Sequence, residues 1–238
     1  MSSWTAKRFW KEAQVVAAPG GYTVHLDGRP IKTPTRAALV VPTVAMAAAI
    51  AAEWDAQQGV IDPRGMPVTR SANAAIDKVR PQHAEVAALI AEYGGTDLLC
   101  YRAGTPPRLV AQQAAAWDPL LDWAETSFGA RLTTTVGVVP VPQSATALAA
   151  LMAQVTAMDD FQLAALHDLV GISGSLVLGL AVAAGRLSAE DAWVISRIDE
   201  AWQIAQWGAD DEAEAEAEIK RAALIHARRF WELLADPT

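Results

Sequence analysis

A pair of serines in a glycine-containing stretch is the part of this sequence that comes nearest to a catalytic motif. Gly171-Ile-Ser173-Gly-Ser175 resembles the turn that presents a nucleophilic serine in many hydrolases, but Ser175 stands where that motif has its second glycine. The stretch also lies within an apolar run over residues 169–184, which predicts a buried core helix. Sixteen residues rise only about 24 Å as a helix, short of the roughly 30 Å needed to cross a bilayer. A structural role is therefore favoured, and no membrane insertion is predicted.

Metal and cofactor chemistry has equally little support. The four histidines are scattered, with none four residues from another on a helix to form a metal pair: they are His25, His83, His167 and His226. His167 and Asp168 are neighbours, and adjacent helical side chains are expected to point in different directions. The single cysteine, Cys100, cannot form an intramolecular disulfide. No catalytic residue, metal or cofactor is predicted.

The charge of the chain excludes one class of partner. The net charge is −8 and the isoelectric point is near 5.0, which opposes binding to the phosphates of nucleic acids. The densest acidic run, over residues 210–218, alternates carboxylates with alanines. Alternation spreads the carboxylates around a helix, so a solvated helix start is predicted, with an ion pair between Glu216 and Lys220.

The segment before the acidic run carries two stripes at helical spacing. One stripe is apolar and predicts core packing: Ile195, Ile198, Trp202 and Ala205. The other places a large aromatic among polar residues: Ser196, Glu200, Gln203 and Trp207. Two interpretations of Trp207 stay open: it belongs to a protein-binding surface, or the basic C-terminal helix covers it. Nine tryptophans in 238 residues, Trp4 among them, fit a protein that buries a partner's apolar surface.

The elements that position these residues change in kind along the chain. Tyr22, Val24 and Leu26 alternate with polar residues before the turn dipeptide Asp27-Gly28, which predicts strands in the first forty residues. Helical patterns dominate from Pro81 onward. The sequence therefore predicts an α+β protein, with a small β-rich N-terminal domain at 1–78 and a larger α-helical C-terminal domain at 79–238.

Three boundaries within this outline can be predicted from single residues. Thr43 is expected to cap a helix that ends near Gly59. Asp118-Pro119 resembles a helix cap followed by a first-turn proline, which predicts that one helix ends near Trp117 and another begins there. Residues 132–141, apolar and rich in threonine, are predicted to form an extended connector.

Specific strings then identify a family. Nearly the whole chain resembles the ATP synthase alpha-subunit assembly chaperones, through strings that include Arg8-Phe-Trp-Lys-Glu12, Tyr22-x-Val-x-Leu-Asp-Gly-Arg-Pro30, Met66-Pro-Val-Thr-Arg70, Thr96-Asp-Leu-Leu-Cys-Tyr-Arg102 and Trp202-Gln203. The resemblance implies a β-rich N-terminal part and a helical C-terminal part. It also implies binding to the unassembled alpha subunit of the F(1) catalytic head, which prevents alpha from aggregating until beta replaces it. A monomeric, bacterial, cytoplasmic protein is expected.

The resemblance further implies dependence on an acidic residue in the C-terminal region. Combined with the polar stripe, it predicts a set of partner-binding residues: Glu200, Gln203, Trp207, Asp211 and Glu212. One alternative is an enzyme for a small molecule, with a pocket between the two domains and Asp97 or Glu200 as acid or base. Another alternative is a permanent subunit of a larger complex.

Overall fold

The structure is a computed structural model that describes residues 7–235, so Trp4 lies outside the described range. The described residues form two compact units. One contains residues 7–83, 159–165 and 229–235, and the other contains residues 84–158 and 166–228. A small antiparallel sheet near the N-terminus and many helices after it confirm the predicted α+β class. A domain boundary at residue 78 stays a prediction.

The sheet of the first unit is a meander of three antiparallel strands: β1 (Ala13–Ala18), β2 (Gly21–Leu26) and β3 (Arg29–Pro30). Asp27 and Gly28 both have positive φ, the backbone conformation that a tight hairpin turn requires. Helix α1 (Val44–Asp55) packs on β1 and β2 and begins as predicted, because the Thr43 hydroxyl accepts a hydrogen bond from Met46 N at 3.1 Å.

The other helices follow in chain order: α2 (Pro67–Ala74), α3 (His83–Ala91), α4 (Pro107–Phe128), α5 (Ala145–Thr156), α6 (Asp160–Ser173), α7 (Leu176–Ala183), α8 (Ala189–Ser196), α9 (Ile198–Trp207) and α10 (Asp211–Glu232). Two short parallel strands, β4 (Tyr101–Arg102) and β5 (Thr135–Val136), belong to the second unit. Fully buried side chains such as Trp117, Leu151 and Leu176 form the core of that unit. Within residues 7–235, no helix combines the length and apolarity that crossing a bilayer requires.

The predicted division of α4 at Asp118-Pro119 is wrong, because one helix continues through Pro119 to Phe128. A proline inside a helix removes one backbone hydrogen bond. Burial of Trp117, Leu120 and Leu121 along one face of α4 offsets that loss.

The apolar run over residues 169–184 is buried as predicted, but it forms two helices instead of one. Gly174 ends α6 in the left-handed conformation at φ +71°, and its carbonyl accepts a hydrogen bond from Leu98 N. Ser175 then caps α7 by accepting a hydrogen bond from Leu178 N at 3.0 Å.

Candidate partner-binding site

The predicted helix over residues 195–207 is interrupted at Arg197, where α8 ends and α9 begins. The first turn of α9 is held firmly. Ile198 is buried as predicted, and Asp199 Oδ1 accepts a hydrogen bond from Gln113 Nε2 at 2.6 Å. Just before it, Trp117 Nε1 on α4 donates to the Ile195 carbonyl at 3.0 Å. The start of α9 is therefore fixed to the core of the second unit.

The end of α9 has no such cover. Every residue from 203 to 216 is exposed, across the end of α9, the connection at Gly208 and the first turn of α10. We call residues 203–216 the exposed arm. The prediction that Ala205 belongs to the core is wrong, because the apolar stripe is covered only where the helix begins.

Two large apolar side chains lie on the exposed arm. Trp207 is 79% exposed and Ile204 is 41% exposed. Of the two interpretations that the sequence left open, coverage of Trp207 by the C-terminal helix is therefore wrong. Clustered exposed apolar surface is unfavourable in an isolated soluble protein and typically marks a binding site.

A cleft of about 300 Å³ lies between α9 and α10. We call it the arm cleft. It is lined by Arg197, Glu200, Gln203, Ile204, Trp207, Gly208, Asp210, Ala213, Glu214 and Ala217. The structure thus brings together three of the residues predicted to bind a partner, Glu200, Gln203 and Trp207. Asp211 and Glu212 are exposed at the start of α10 but do not line this cleft, and their role stays a prediction.

The carboxylates of α10 fall into two groups. Those nearer its middle are paired on the helix, because Glu216 lies 2.7 Å from Lys220 Nζ, as predicted, and Glu218 lies 3.0 Å from Arg221. The hydrogen bond from Lys220 lowers the pKa of Glu216. In the first turn, Asp211, Glu212 and Glu214 have no ion pair with any residue in the range 7–235. Their negative charge remains available to a partner.

A second cavity, of about 490 Å³, opens beside the first turn of α9. We call it the Val138 groove. Its lining combines strand, loop and helix residues: Tyr101, Arg102, Ala103, Thr105, Pro106, Leu109, Gln113, Gly137, Val138, Asp199, Trp202, Gln203, Gln206 and Trp207. Trp207 and Gln203 line both cavities, so the arm cleft and the Val138 groove adjoin at these side chains.

Sequence reasoning did not identify the loop side of this groove. Val136 and Val139 are each 71% exposed and Val138 is 88% exposed. The signal was present in the sequence, because residues 132–142 are uncharged and their apolar residues lack the period that would bury one face. The prediction of an extended connector described the backbone of this segment but not the exposure of its side chains.

The residues that resembled catalytic groups have structural roles. Ser173 Oγ donates to the Leu169 carbonyl at 2.7 Å, and Ser175 Oγ donates to Asp97 Oδ1 at 2.7 Å. Asp97 is fully buried and also accepts hydrogen bonds from Leu99 N and Val177 N, both at 3.0 Å. Burial raises the pKa of the Asp97 carboxyl, and these hydrogen bonds oppose the rise. With its oxygens bonded inside the core, Asp97 has no open face for a substrate.

The single cysteine is also enclosed. Cys100 is a buried free thiol, and burial together with the charge of Asp97 raises its pKa to about 12. Such a thiol remains protonated at neutral pH and is a poor nucleophile. In the part of the chain that the structure describes, no group of three or more potential metal ligands comes together.

The prediction that His167 and Asp168 diverge is wrong, because His167 Nδ1 lies 3.0 Å from Asp168 Oδ1. Both side chains are partly exposed and have room to turn toward each other, although their Cα–Cβ bonds diverge.

We expect this pair to be visible in a histidine titration. The hydrogen bond that His167 donates to the Asp168 carboxylate raises the pKa of His167, and burial opposes the rise. Protonation is therefore favoured in the folded state, so the pair stabilises the fold below pH 6.5 and loses that effect as pH rises through the raised pKa. In an NMR titration, Asp168→Asn should lower the His167 midpoint, whereas Glu190→Gln, which removes an exposed carboxylate of α8, should not. Equal midpoints in wild type and Asp168→Asn would contradict the assignment.

Comparison with known protein families gives one family match. The model of a family described as ATP12 chaperone protein matches residues 7–125, half of the chain. This match includes the sheet of the first unit and most of α4, but it ends well before α9. The exposed arm is therefore outside the region that the family model matches.

Individual relatives extend the likeness to the C-terminal half. The chain is 25% identical over 219 residues to the mitochondrial protein atp12 of Schizosaccharomyces pombe, covering 87% of this chain and 75% of that protein. The crystal structure of Atp12 from Paracoccus denitrificans is 53% identical and superposes with a TM-score of 0.94, covering 97% of this chain and 99% of that one. A substituted form of P. denitrificans Atp12p is 52% identical, with a TM-score of 0.95 and coverage of 98% and 100%. The uncovered 3% in the first superposition is about seven residues, so at least about half of the 14-residue exposed arm has a counterpart there.

Proposed function

Because the chain belongs to the ATP12 chaperone family, we propose that it binds the unassembled alpha subunit of the F(1) head of ATP synthase and prevents its aggregation until beta replaces it. The family and the solved relatives support the chaperone class. The observation that carries the client-binding proposal is the exposed arm, where Trp207 and Ile204 are exposed beside carboxylates that form no ion pair within residues 7–235. We also propose that the protein works without catalysis and in a bacterial cytoplasm, in line with its bacterial relatives.

The physical task of such a chaperone is to cover apolar surface for a limited time. A subunit that awaits its partner exposes the face that assembly will bury, and such a face aggregates. A cover must bind this face firmly enough to keep it from other copies, yet leave when beta arrives. A small number of aromatic contacts inside a polar rim supports both requirements, since a few residues carry most of the binding energy.

The charges of the exposed arm favour a particular kind of client face. Asp211, Glu212 and Glu214 add negative charge beside the apolar side chains, and Glu200 lines the arm cleft at 3.7 Å from Arg197. Opposite charges across an interface accelerate association and select the correct register. We therefore propose that the arm binds an apolar patch of alpha bordered by lysine or arginine.

Co-expression of alpha alone, with and without this protein, tests the proposed client. We expect a several-fold increase in soluble alpha when the protein is present, and release of alpha when purified beta is added. If alpha is equally insoluble in both cultures, the proposal fails. A permanent subunit would be retained in purified ATP synthase, whereas a chaperone should be absent from it.

A further inference from the structure

We propose that Arg108 binds an aspartate or glutamate of the client, on the side of α9 that faces away from the acidic residues of the exposed arm. The client face that fits then presents a cation, an apolar side chain and a carboxylate, in that order, around α9. This inference rests on the proposed function for the identity of the client, and it adds an acidic residue to the face that the client must carry.

A third cleft, of about 230 Å³, lies between α4 and α9. We call it the Arg108 cleft. It is lined by Arg108, Gln112, Ala201, Trp202, Ala205 and Gln206. Trp202 is half-buried and gives the cleft an aromatic wall, while one guanidinium and two side-chain amides supply hydrogen-bond donors. A carboxylate side chain suits such a cleft, because its oxygens can accept from these donors while its methylene groups pack on the indole.

The three clefts of this region form one continuous surface. Gln203 and Trp207 line both the arm cleft and the Val138 groove. Trp202 and Gln206 line both the Val138 groove and the Arg108 cleft. Within each pair the two residues are four positions apart on α9, so each pair forms a stripe along the helix. The apolar Val138 groove therefore lies between the arm cleft and the Arg108 cleft.

The two ends of this surface differ in charge. The arm cleft is lined by Glu200, Asp210 and Glu214, and its single cation, Arg197, lies 3.7 Å from Glu200. No carboxylate lines the Arg108 cleft. A client face that matches the whole surface must therefore carry positive charge at one end and negative charge at the other.

Most cations of the second unit already have a partner in that unit. Those in ion pairs with carboxylates are Arg102, Arg131, Arg197, Lys220 and Arg221. Arg228 donates to the Val182 carbonyl. Arg108 and Arg186 have no ion pair with any residue in the range 7–235, although this unit has more carboxylates than cations.

The chain around Arg108 keeps this cation available. Residues 98–117 contain no aspartate or glutamate, so no carboxylate close to Arg108 in sequence competes for its guanidinium. Arginine presents a planar set of donors that matches both oxygens of a carboxylate. A client that covers the cleft would also shield the pair from water, which strengthens the attraction between the two charges.

Charge reversal at Arg108 tests the contact. Arg108→Glu should weaken binding of purified alpha about tenfold or more and slow association at low salt, because it places two like charges together. Arg108 lies in the first turn of α4, where a glutamate is favoured by the helix dipole, so the variant should fold. Circular dichroism checks this. The matched control is Arg186→Glu, an exposed position that lines none of the three clefts, where affinity should change by less than about twofold.

Cross-linking identifies the group that Arg108 contacts. Arg108→Lys keeps the positive charge and provides an amine that a carbodiimide joins to a carboxylate in direct contact. In the complex with purified alpha, we expect mass spectrometry to find position 108 joined to an aspartate or glutamate of alpha. Arg186→Lys should give no link to alpha.

The outcomes separate this inference from the proposed function. If alpha binds Arg108→Glu with normal affinity, the carboxylate contact is refuted and the proposed function stands. Weakened binding without a link from position 108 also refutes the contact, because Arg108 would then act only from a distance. Wild-type dimers in ultracentrifugation that Arg108→Glu abolishes would refute it too, because the acidic arm of a second copy would then occupy the cleft.

A peptide probe decides the case in which alpha does not bind at all and the proposed function fails. The probe is a synthetic heptapeptide with lysine at one end, glutamate at the other and valines between them, made in both orders. Weaker binding of this peptide to Arg108→Glu than to wild type, measured by calorimetry, supports the cleft as a carboxylate site. Equal binding, or no binding to either protein, refutes it.

Discussion

Asp97→Ala should lower the free energy of unfolding by about 3–5 kcal/mol, because the carboxylate satisfies three buried donors and joins its own turn to the start of α7 inside the core. Its oxygens accept hydrogen bonds from Ser175 Oγ, Leu99 N and Val177 N, and alanine would leave these donors buried without an acceptor. Each buried unsatisfied donor costs about 1–3 kcal/mol. Urea unfolding followed by circular dichroism measures the loss.

The loss of unfolding free energy in Asp97→Ala should depend on pH. Because burial raises the folded-state pKa of Asp97 above 3.8, the folded protein binds the Asp97 proton more tightly than the unfolded chain does. Asp97 therefore stabilises the fold most below pH 3.8, and this contribution falls as pH rises through the raised pKa. The difference in unfolding free energy between wild type and Asp97→Ala should decrease over that interval and then become constant.

Asp122→Asn is the matched control, because it removes an exposed carboxylate of α4. Its unfolding free energy should stay within about 0.5 kcal/mol of wild type. If Asp97→Ala were as stable as this control, Asp97 would not hold its turn to the start of α7.

The parts of the fold that could be predicted are those that local chemistry decides. Asp27-Gly28 specified a hairpin because few residues adopt positive φ, and Thr43 specified a helix start because its hydroxyl caps a free N–H. At Pro119 and Gly174, by contrast, the predictions made from local sequence were wrong. Helix α4 continues through Pro119 because the burial of Trp117 stabilises it. The apolar run over residues 169–184 was predicted to form one helix, but Gly174 separates it into α6 and α7. Both outcomes depend on tertiary partners that residue spacing does not contain.

The candidate site was predictable to a similar degree. The spacing of Glu200, Gln203 and Trp207 placed them on one face of a helix, and the structure places them along one cleft. The spacing could not show that α9 extends beyond its cover, which exposes Ala205 and Ile204 as well. Exposure depends on where neighbouring elements end, so it became visible only in three dimensions.

Trp207→Ala should weaken binding of alpha by about 30-fold or more, the largest effect expected from any one side chain of the exposed arm. A tryptophan at the centre of an interface typically contributes at least about 2 kcal/mol. Trp207 also lines both the arm cleft and the Val138 groove, so its loss would remove a wall from each. Affinity for purified alpha, measured by biolayer interferometry, checks the expected change.

The fold should tolerate this substitution, since Trp207 is mostly exposed. The free energy of unfolding of Trp207→Ala should differ from that of wild type by no more than about 0.5 kcal/mol. Leu89→Ala is the control, because Leu89 is an exposed apolar residue of α3 in the same unit, and its loss should leave affinity unchanged.

Glu200→Gln separates the charge from the aromatic surface: it should slow association at low salt while leaving dissociation nearly unchanged. If Trp207→Ala binds alpha with normal affinity, the client binds elsewhere. Removal of this exposed side chain would weaken binding if the arm were the contact surface.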